Sequence, residues 1–153
     1  MQDQSRLEPF EASEFFADDA SARPLPVGAI PAGRAAAPAG FYTGRTAGGE
    51  LLEAFPFPVT EDILQQGQTQ FGVFCTPCHG LSGEGNGIIV EHGFSPPPSF
   101  YSERLQQAPA GHFVEVMTFG VGQMYSYADR VPTEDRWAIA AYIQALQGRN
   151  PVD

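Results

Sequence analysis

Leu64, Gly67, Phe71 and Phe74 recur at spacings of three and four, which places them on one face of a helix. Thr60, after Pro58 and Val59, is a suitable N-cap, and Glu61 and Asp62 complement the helix dipole. The pattern therefore predicts a helix that opens at Thr60 and runs into Cys75. A second period links Ile139, Tyr142, Ile143 and Leu146 at i, i+3, i+4 and i+7. Thr133 caps it, Glu134 and Asp135 occupy its first turn, and Gly148 and Pro151 end it. That stripe must bury against another helix. Between the two, Pro109 opens a helix to about Phe119, where Gly120 stops it, and a short helix is predicted around Ser102 to Gln107 after a turn at Pro96-Pro97-Pro98. The stretch from Gly80 to Gly87, with glycines at 80, 83, 85 and 87, reads as loop.

Residues 1–57 show no such period. Pro24, Pro26, Pro31, Gly33, Pro38 and Gly40 interrupt every window, and the run from Gly28 to Gly40 is low in complexity. Disordered tails are poor in aromatics, yet this segment carries Phe10, Phe15, Phe16, Phe41, Tyr42, Phe55 and Phe57. Residues 1–57 are expected to form an extended Pro/Gly-rich docking arm whose aromatic anchors settle on something larger. The alternative is a flexible linker to a membrane anchor. Prolines suit either, because they reduce the entropy lost when the arm is fixed. Residues 58–153 are then the folded, mainly α domain.

Composition agrees with long irregular stretches: 17 Gly and 14 Pro among 153 residues are too many for a plain helical bundle. No apolar run reaches the length of about 18 residues that a membrane span requires. The net charge of -10 comes from 18 acidic residues against 8 basic ones, all Arg and scattered from Arg6 to Arg149. Phosphate neutralisation needs clustered cations, so nucleic acid is excluded as a partner and a cationic protein surface is favoured.

The two cysteines are Cys75 and Cys78, followed at once by His79. In a CxxCH sequence two thiols on adjacent turns reach the two vinyl groups of a porphyrin, and the next residue places an imidazole under the iron, the pattern of c-type haem attachment. A zinc site would need two further ligands, and His92 and His112 are too far apart for a finger. A thioredoxin-like dithiol would match Cys75-Thr76-Pro77-Cys78, but such a motif follows a strand and opens a helix, whereas here a helix precedes and a glycine loop follows. A structural disulfide is the remaining alternative. Haem also supplies the apolar centre that a small, glycine-rich domain lacks.

Over residues 60 to 148 the chain resembles the class I cytochrome c family. Gly67 stands eight residues before Cys75 and Phe71 four before it, as in that family's N-terminal helix, and Ile139 and Tyr142 match the apolar and aromatic pair of its C-terminal helix. The resemblance implies that these helices cross closely with the glycine at the contact, and a residue without a side chain allows that approach. A second axial ligand is sought among Met117, Met124, His92 and His112. Met117 shares a helical face with Phe113 and Val114 and reads as core. Met124 follows the flexible Gly120-Val121-Gly122-Gln123 and lies where the family's ligand loop lies, so Met124 is the expected ligand, although Tyr125 stands where that family often has proline. A carbonyl of the Pro96–Pro98 turn, with Pro97 at its centre, is placed to accept the proton of the other His79 nitrogen; the alternative is that the turn only packs on the ring edge. Arg104, Arg130, Arg136, Tyr101 and Trp137 are open candidates for the haem propionates.

The whole chain also resembles the monohaem cytochrome c subunits of bacterial alternative complex III, a quinol-oxidising membrane complex. The likeness rests on Leu7-Glu8-Pro9, Glu11-Ala12-Ser13, Phe15-Phe16-Ala17-Asp18 and Ser21-Ala22-Arg23-Pro24 in the arm. In the domain it rests on Pro56-Phe57-Pro58-Val59-Thr60, Phe74-Cys75, Pro77-Cys78-His79-Gly80, Pro97-Pro98-Ser99-Phe100, Gly111-His112-Phe113 and Asp135-Arg136-Trp137-Ala138-Ile139. It implies a periplasmic, membrane-associated electron-transfer subunit with one covalent haem c. Electrons would come from a multihaem or iron-sulfur donor subunit and pass to an oxidase or soluble carrier. It also implies an export signal and a lipidated cysteine upstream of Met1. The rival functions are a free periplasmic carrier, a haem peroxidase and a dithiol oxidoreductase.

Overall fold

A computed structural model describes residues 6–8, 10–24, 26, 29 and 37–152. The opening Met1 to Gln4, Pro9 of the first arm motif, and most of the Gly28 to Gly40 run lie outside the described residues. The chain divides into two units, residues 1–36 and 37–153.

In the first unit, residues 11–21 close into a small loop held by backbone hydrogen bonds. Ala12 and Ala20 form an antiparallel bridge, Ser21 N donates to Glu11 O (3.1 Å) and Ser13 N to Asp19 O (3.0 Å). Arg23 pairs with Asp18 at 2.6 Å and covers the Phe16 ring at 4.2 Å. Phe10 and Phe15 stay almost fully exposed.

The second unit carries seven helices and, among the described residues, no strand: α1 Ala39–Thr43, α2 Glu61–Phe74, α3 Thr76–His79, α4 Ile88–Glu91, α5 Glu103–Gln106, α6 Ala110–Phe119 and α7 Thr133–Leu146. Thr60 caps α2 as expected, its hydroxyl accepting from Ile63 N at 3.4 Å. At α7 the expected cap shifts by one: Pro132 is the N-cap, and the buried Thr133 hydroxyl instead accepts from Arg136 at 2.7 Å. The segment at Pro96–Pro98 is irregular and forms no turn.

The architecture rests on the crossing of α2 and α7. A Cβ on Gly67 would lie 2.0 Å from Ala138 O and 3.1 Å from Tyr142 Cβ, so this contact exists only because position 67 has no side chain. Beside it Phe71 packs on Tyr142 (5.3 Å between ring centroids), and the core continues through Phe100, Phe113, Val114, Met117, Trp137 and Ile139, all buried.

Residues 37–57 differ from the expectation of an arm that lacks its own fold: they pack on the helical domain. The Trp137 indole N–H donates to Phe41 O at 2.7 Å, the Phe55 and Phe57 rings stand edge-on to Trp137 at 5.9 and 6.5 Å, and Arg45 forks onto Glu115 of α6 at 2.5 and 3.0 Å. Gly111 N donates to Leu52 O (2.8 Å) and Leu52 N to Gly44 O (2.9 Å). A strap with no period of its own gains order because its aromatics bury against a surface that α6 and α7 have already built.

Candidate functional site

Cys75 ends α2 and caps α3, so both cysteines and His79 share one continuous backbone. Cys75 N donates to Phe71 O (2.9 Å), while Cys75 O accepts from Cys78 N (3.2 Å) and His79 N (2.9 Å). Pro77 falls at the start of α3, where its missing N–H leaves no bond unmade. The thiols are free.

The glycine loop folds back onto this turn. Gly85 N donates to His79 O (2.8 Å) and Gly87 N to Cys78 O (3.0 Å), which satisfies two carbonyls that end the short helix. A Cβ at Gly87 would lie 2.3 Å from Pro77 O, and one at Gly85 2.3 Å from Pro97 O. Sequence reasoning treated these glycines only as loop; their alternation at 83, 85 and 87 was the available sign that backbone must approach backbone.

His79 lies face to face with Phe100, centroids 4.7 Å apart and planes 10° from parallel. Burial pushes its pKa down to about 4, so the imidazole is neutral and keeps a lone pair for a metal. Its Nδ1 is buried without a hydrogen-bond partner. No bond from this nitrogen to the Pro96–Pro98 carbonyls is formed here; the Pro97 carbonyl lies against Gly85, 2.3 Å from where a Cβ would stand. Burial, with Cys78 alongside, pushes the Cys75 thiol up to about 12. A dithiol oxidoreductase needs the opposite shift to make a thiolate nucleophile. Among the described residues no three His, Cys, Asp or Glu side chains gather as a metal cluster.

The Met124 loop is a tight turn rather than a slack one. Met124 N donates to Val121 O and Val121 N to Met124 O, both at 2.9 Å; Tyr127 N donates to Met117 O (2.8 Å), and Ser126 Oγ to Thr118 O (2.6 Å). Gly120 has φ +77°, and a Cβ there would lie 2.5 Å from Met124 O. These bonds supply the rigidity that a proline at position 125 would otherwise give. Met124 is half-buried against the core, whereas Met117 is buried within it.

Tyr127 ties the loop to the motif. Its ring stands 6.5 Å from Phe74, and its pKa is raised by burial and then by the charges of Cys78 and Cys75. His92 is exposed and His112 half-buried, the latter beside Phe113. Of the propionate candidates, Trp137 is spent on Phe41 and Arg136 on Thr118 and Thr133; Arg104, Arg130 and Tyr101 are exposed. Two adjacent thiols, a neutral imidazole with an orphaned nitrogen, and a thioether on an apolar wall fit a haem c in donor type and in polarity.

The helical order, the α2–α7 crossing and this turn define a c-type cytochrome domain of class I architecture. A family match over residues 62–143, more than half of the chain, makes it specific: the chain belongs to the family described as cytochrome C oxidase, cbb3-type, subunit III. Among solved structures, a chain of the Kuenenia stuttgartiensis reducing HAO-like protein complex is similar at TM-score 0.52 and 22% identity, covering 63% of this chain. This chain spans 49% of that one. The KustC0563 c-type cytochrome is similar at TM-score 0.45 and 17% identity, covering 53% of this chain and 96% of its own length. No curated protein matches. Family membership implies electron transfer through covalently bound haem c, as expected from Cys75, Cys78 and His79. Among the described residues no helix is long and apolar enough to cross a membrane.

Proposed function

We propose that the chain carries one haem c and serves as the monohaem electron-transfer subunit of a quinol-oxidising membrane complex of the alternative complex III type, on the periplasmic side. Cys75 and Cys78 would hold the group through thioether links to its two vinyl groups. His79 and Met124 would supply the nitrogen and sulfur donors to its iron, and the Pro97 segment would line the group. When bound, the haem supplies a one-electron iron couple. His79 remains neutral through burial, the Met124 turn holds its thioether in place, and the apolar residues Phe74 and Phe100 keep water from the donors. The observation that carries this reading is that Met124 and Tyr127 pack against the same hydrophobic core as Phe74 and Cys75, with the Tyr127 ring 6.5 Å from that of Phe74.

Residues 1–36 act as the docking segment. Their six carboxylates at Asp3, Glu8, Glu11, Glu14, Asp18 and Asp19, together with exposed Phe10 and Phe15, suit a cationic protein surface with apolar pockets on a multihaem or iron-sulfur donor subunit. The acceptor is an oxidase or a soluble carrier, and a lipidated cysteine upstream anchors the mature protein.

One spectrum tests the core of this. A haem c signal with a thioether-to-iron charge-transfer band in the ferric state is expected; its absence, with binding of added cyanide as fast as at an open site, would favour a peroxidase. Co-purification with multihaem subunits separates the complex from a free periplasmic carrier.

A further inference from the structure

We propose that Arg136 is a positioning residue for Met124: from α7 its guanidinium holds the Thr118 hydroxyl in the last turn of α6, the turn that the Met124 loop leaves and rejoins. The proposal rests on the reading of Met124 as an axial ligand.

Both ends of the loop are tied to the same three residues. At its start Gly120 N donates to Val116 O at 2.8 Å, and a φ of +77° at Gly120 turns the chain out of α6. On its return Tyr127 N donates to Met117 O at 2.8 Å and Ser126 Oγ to Thr118 O at 2.6 Å. Ala128 N in turn donates to Ser126 Oγ at 3.2 Å. Met124 is therefore placed by residues 116–118, and these form a helix end, where turns fray unless something outside the helix holds them.

That hold comes from α7. Arg136 is buried, 4% exposed; one guanidinium nitrogen donates to Thr118 Oγ1 and the other terminal nitrogen to Thr133 Oγ1 at 2.7 Å. The Thr118 hydroxyl commits its own proton to Val114 O at 2.6 Å, so its oxygen is left to accept from the cation. Hydrogen bonds from an ionised donor are about twice as strong as neutral ones. Apolar residues of similar volume would serve stability as well as a buried cation does, but apolar contacts have no direction. A guanidinium fork has one, and it sets the end of α6 in register with the first turn of α7. Helix α7 crosses α2 at Gly67, and α2 runs into Cys75. Arg136 thus links the placement of the Met124 loop to that of the CxxCH turn.

The test uses holoprotein: wild type, Arg136→Met, Arg136→Lys, Thr118→Val, the double variant of Arg136→Met with Thr118→Val, and Trp137→Phe. The readouts are cyanide binding to the ferric protein, the thioether-to-iron charge-transfer band, hydrogen exchange at the Met124 and Tyr127 amides, and melting. Arg136→Met keeps the buried stem and Thr118→Val keeps the shape. Each is expected to speed cyanide binding and amide exchange by about tenfold or more, as the loss of a hydrogen bond to a charged group implies, and to weaken the band. The double variant should go no further than either single one, because both remove the same contact. Arg136→Lys retains a cationic donor and should recover most of the wild-type behaviour. Trp137→Phe, on the same helix but turned to the strap, should lower melting and leave the loop readouts unchanged. An Arg136→Met protein that only melts earlier, an Arg136→Lys protein that recovers nothing, or additive effects in the double variant overturns the proposal. If Arg136→Met does not fold, Thr118→Val decides, and wild-type cyanide binding and exchange in it overturn the proposal. A wild type that lacks the charge-transfer band overturns the Met124 reading before any variant is made; failure with the band present is failure of the Arg136 proposal alone.

Discussion

Two glycines on α2 give substitutions of opposite sign. At Gly67 a new Cβ would stand 2.0 Å from Ala138 O, 2.6 Å from Ala138 C and 3.1 Å from Tyr142 Cβ. Two of these are backbone atoms of α7 and the third begins a side chain, so none can rotate away. Restoring even a 3.0 Å approach requires α7 to withdraw by at least 1.0 Å, the difference from 2.0 Å, which also loosens Phe71 from Tyr142. Overpacking of this kind costs about 3 kcal/mol, and the better helix propensity of alanine returns about 1, leaving a net loss of about 2 kcal/mol for Gly67→Ala. At Gly72, five residues later, nothing lies within 4 Å, so Gly72→Ala gains about 1 kcal/mol from propensity alone. For a domain of this size each kcal/mol moves the midpoint by about 4–8 °C. Thermal unfolding of the two holoproteins, with the haem still covalently attached, is therefore expected to fall by about 8–16 °C for Gly67→Ala and to rise by about 4–8 °C for Gly72→Ala. Equal shifts, or a rise in both, would show that α2 and α7 do not cross at Gly67.

Further outcomes follow from the same geometry. Tyr142→Ala removes the ring that packs on Phe71 and should cost about 3 kcal/mol while the haem stays attached, as a denaturation curve would read. Met124→Ala should lower the midpoint potential and open the iron to exogenous ligands, because a thioether favours the reduced metal. Met117→Ala should cost about 2–4 kcal/mol of stability and leave the spectrum alone; the reverse pattern would move the ligand to Met117. Trp137→Phe keeps an aromatic ring against Phe55 and Phe57 but leaves the Phe41 carbonyl without its donor, so a loss of about 1–2 kcal/mol is expected. Deleting residues 1–36 should spare spectrum and melting and abolish co-purification, whereas deleting 1–57 should also lower melting by uncovering Trp137. Unchanged melting of the longer deletion would contradict the strap.

The haem-attachment chemistry was legible without coordinates because the spacing of Cys75, Cys78 and His79 is local: one helical turn decides which atoms face together. The helices α2, α6 and α7 were legible for the same reason, since their periods and breakers act within a few residues. So was the role of Gly67, through the family resemblance that its spacing from Cys75 supports. What lay beyond sequence were contacts between segments that share no period. Residues 37–57 read as part of an arm, yet Phe41, Phe55 and Phe57 gain burial on Trp137, about eighty or more positions away. A carbonyl of the Pro96–Pro98 segment was expected at His79, whereas the contacts that place Pro97 O against Gly85 and the imidazole against Phe100 join segments that no local pattern links. Local propensity and motif spacing determine which elements and which donors this chain has. Their mutual placement is decided by close packing between distant surfaces, where one missing Cβ or one buried ring selects the neighbour.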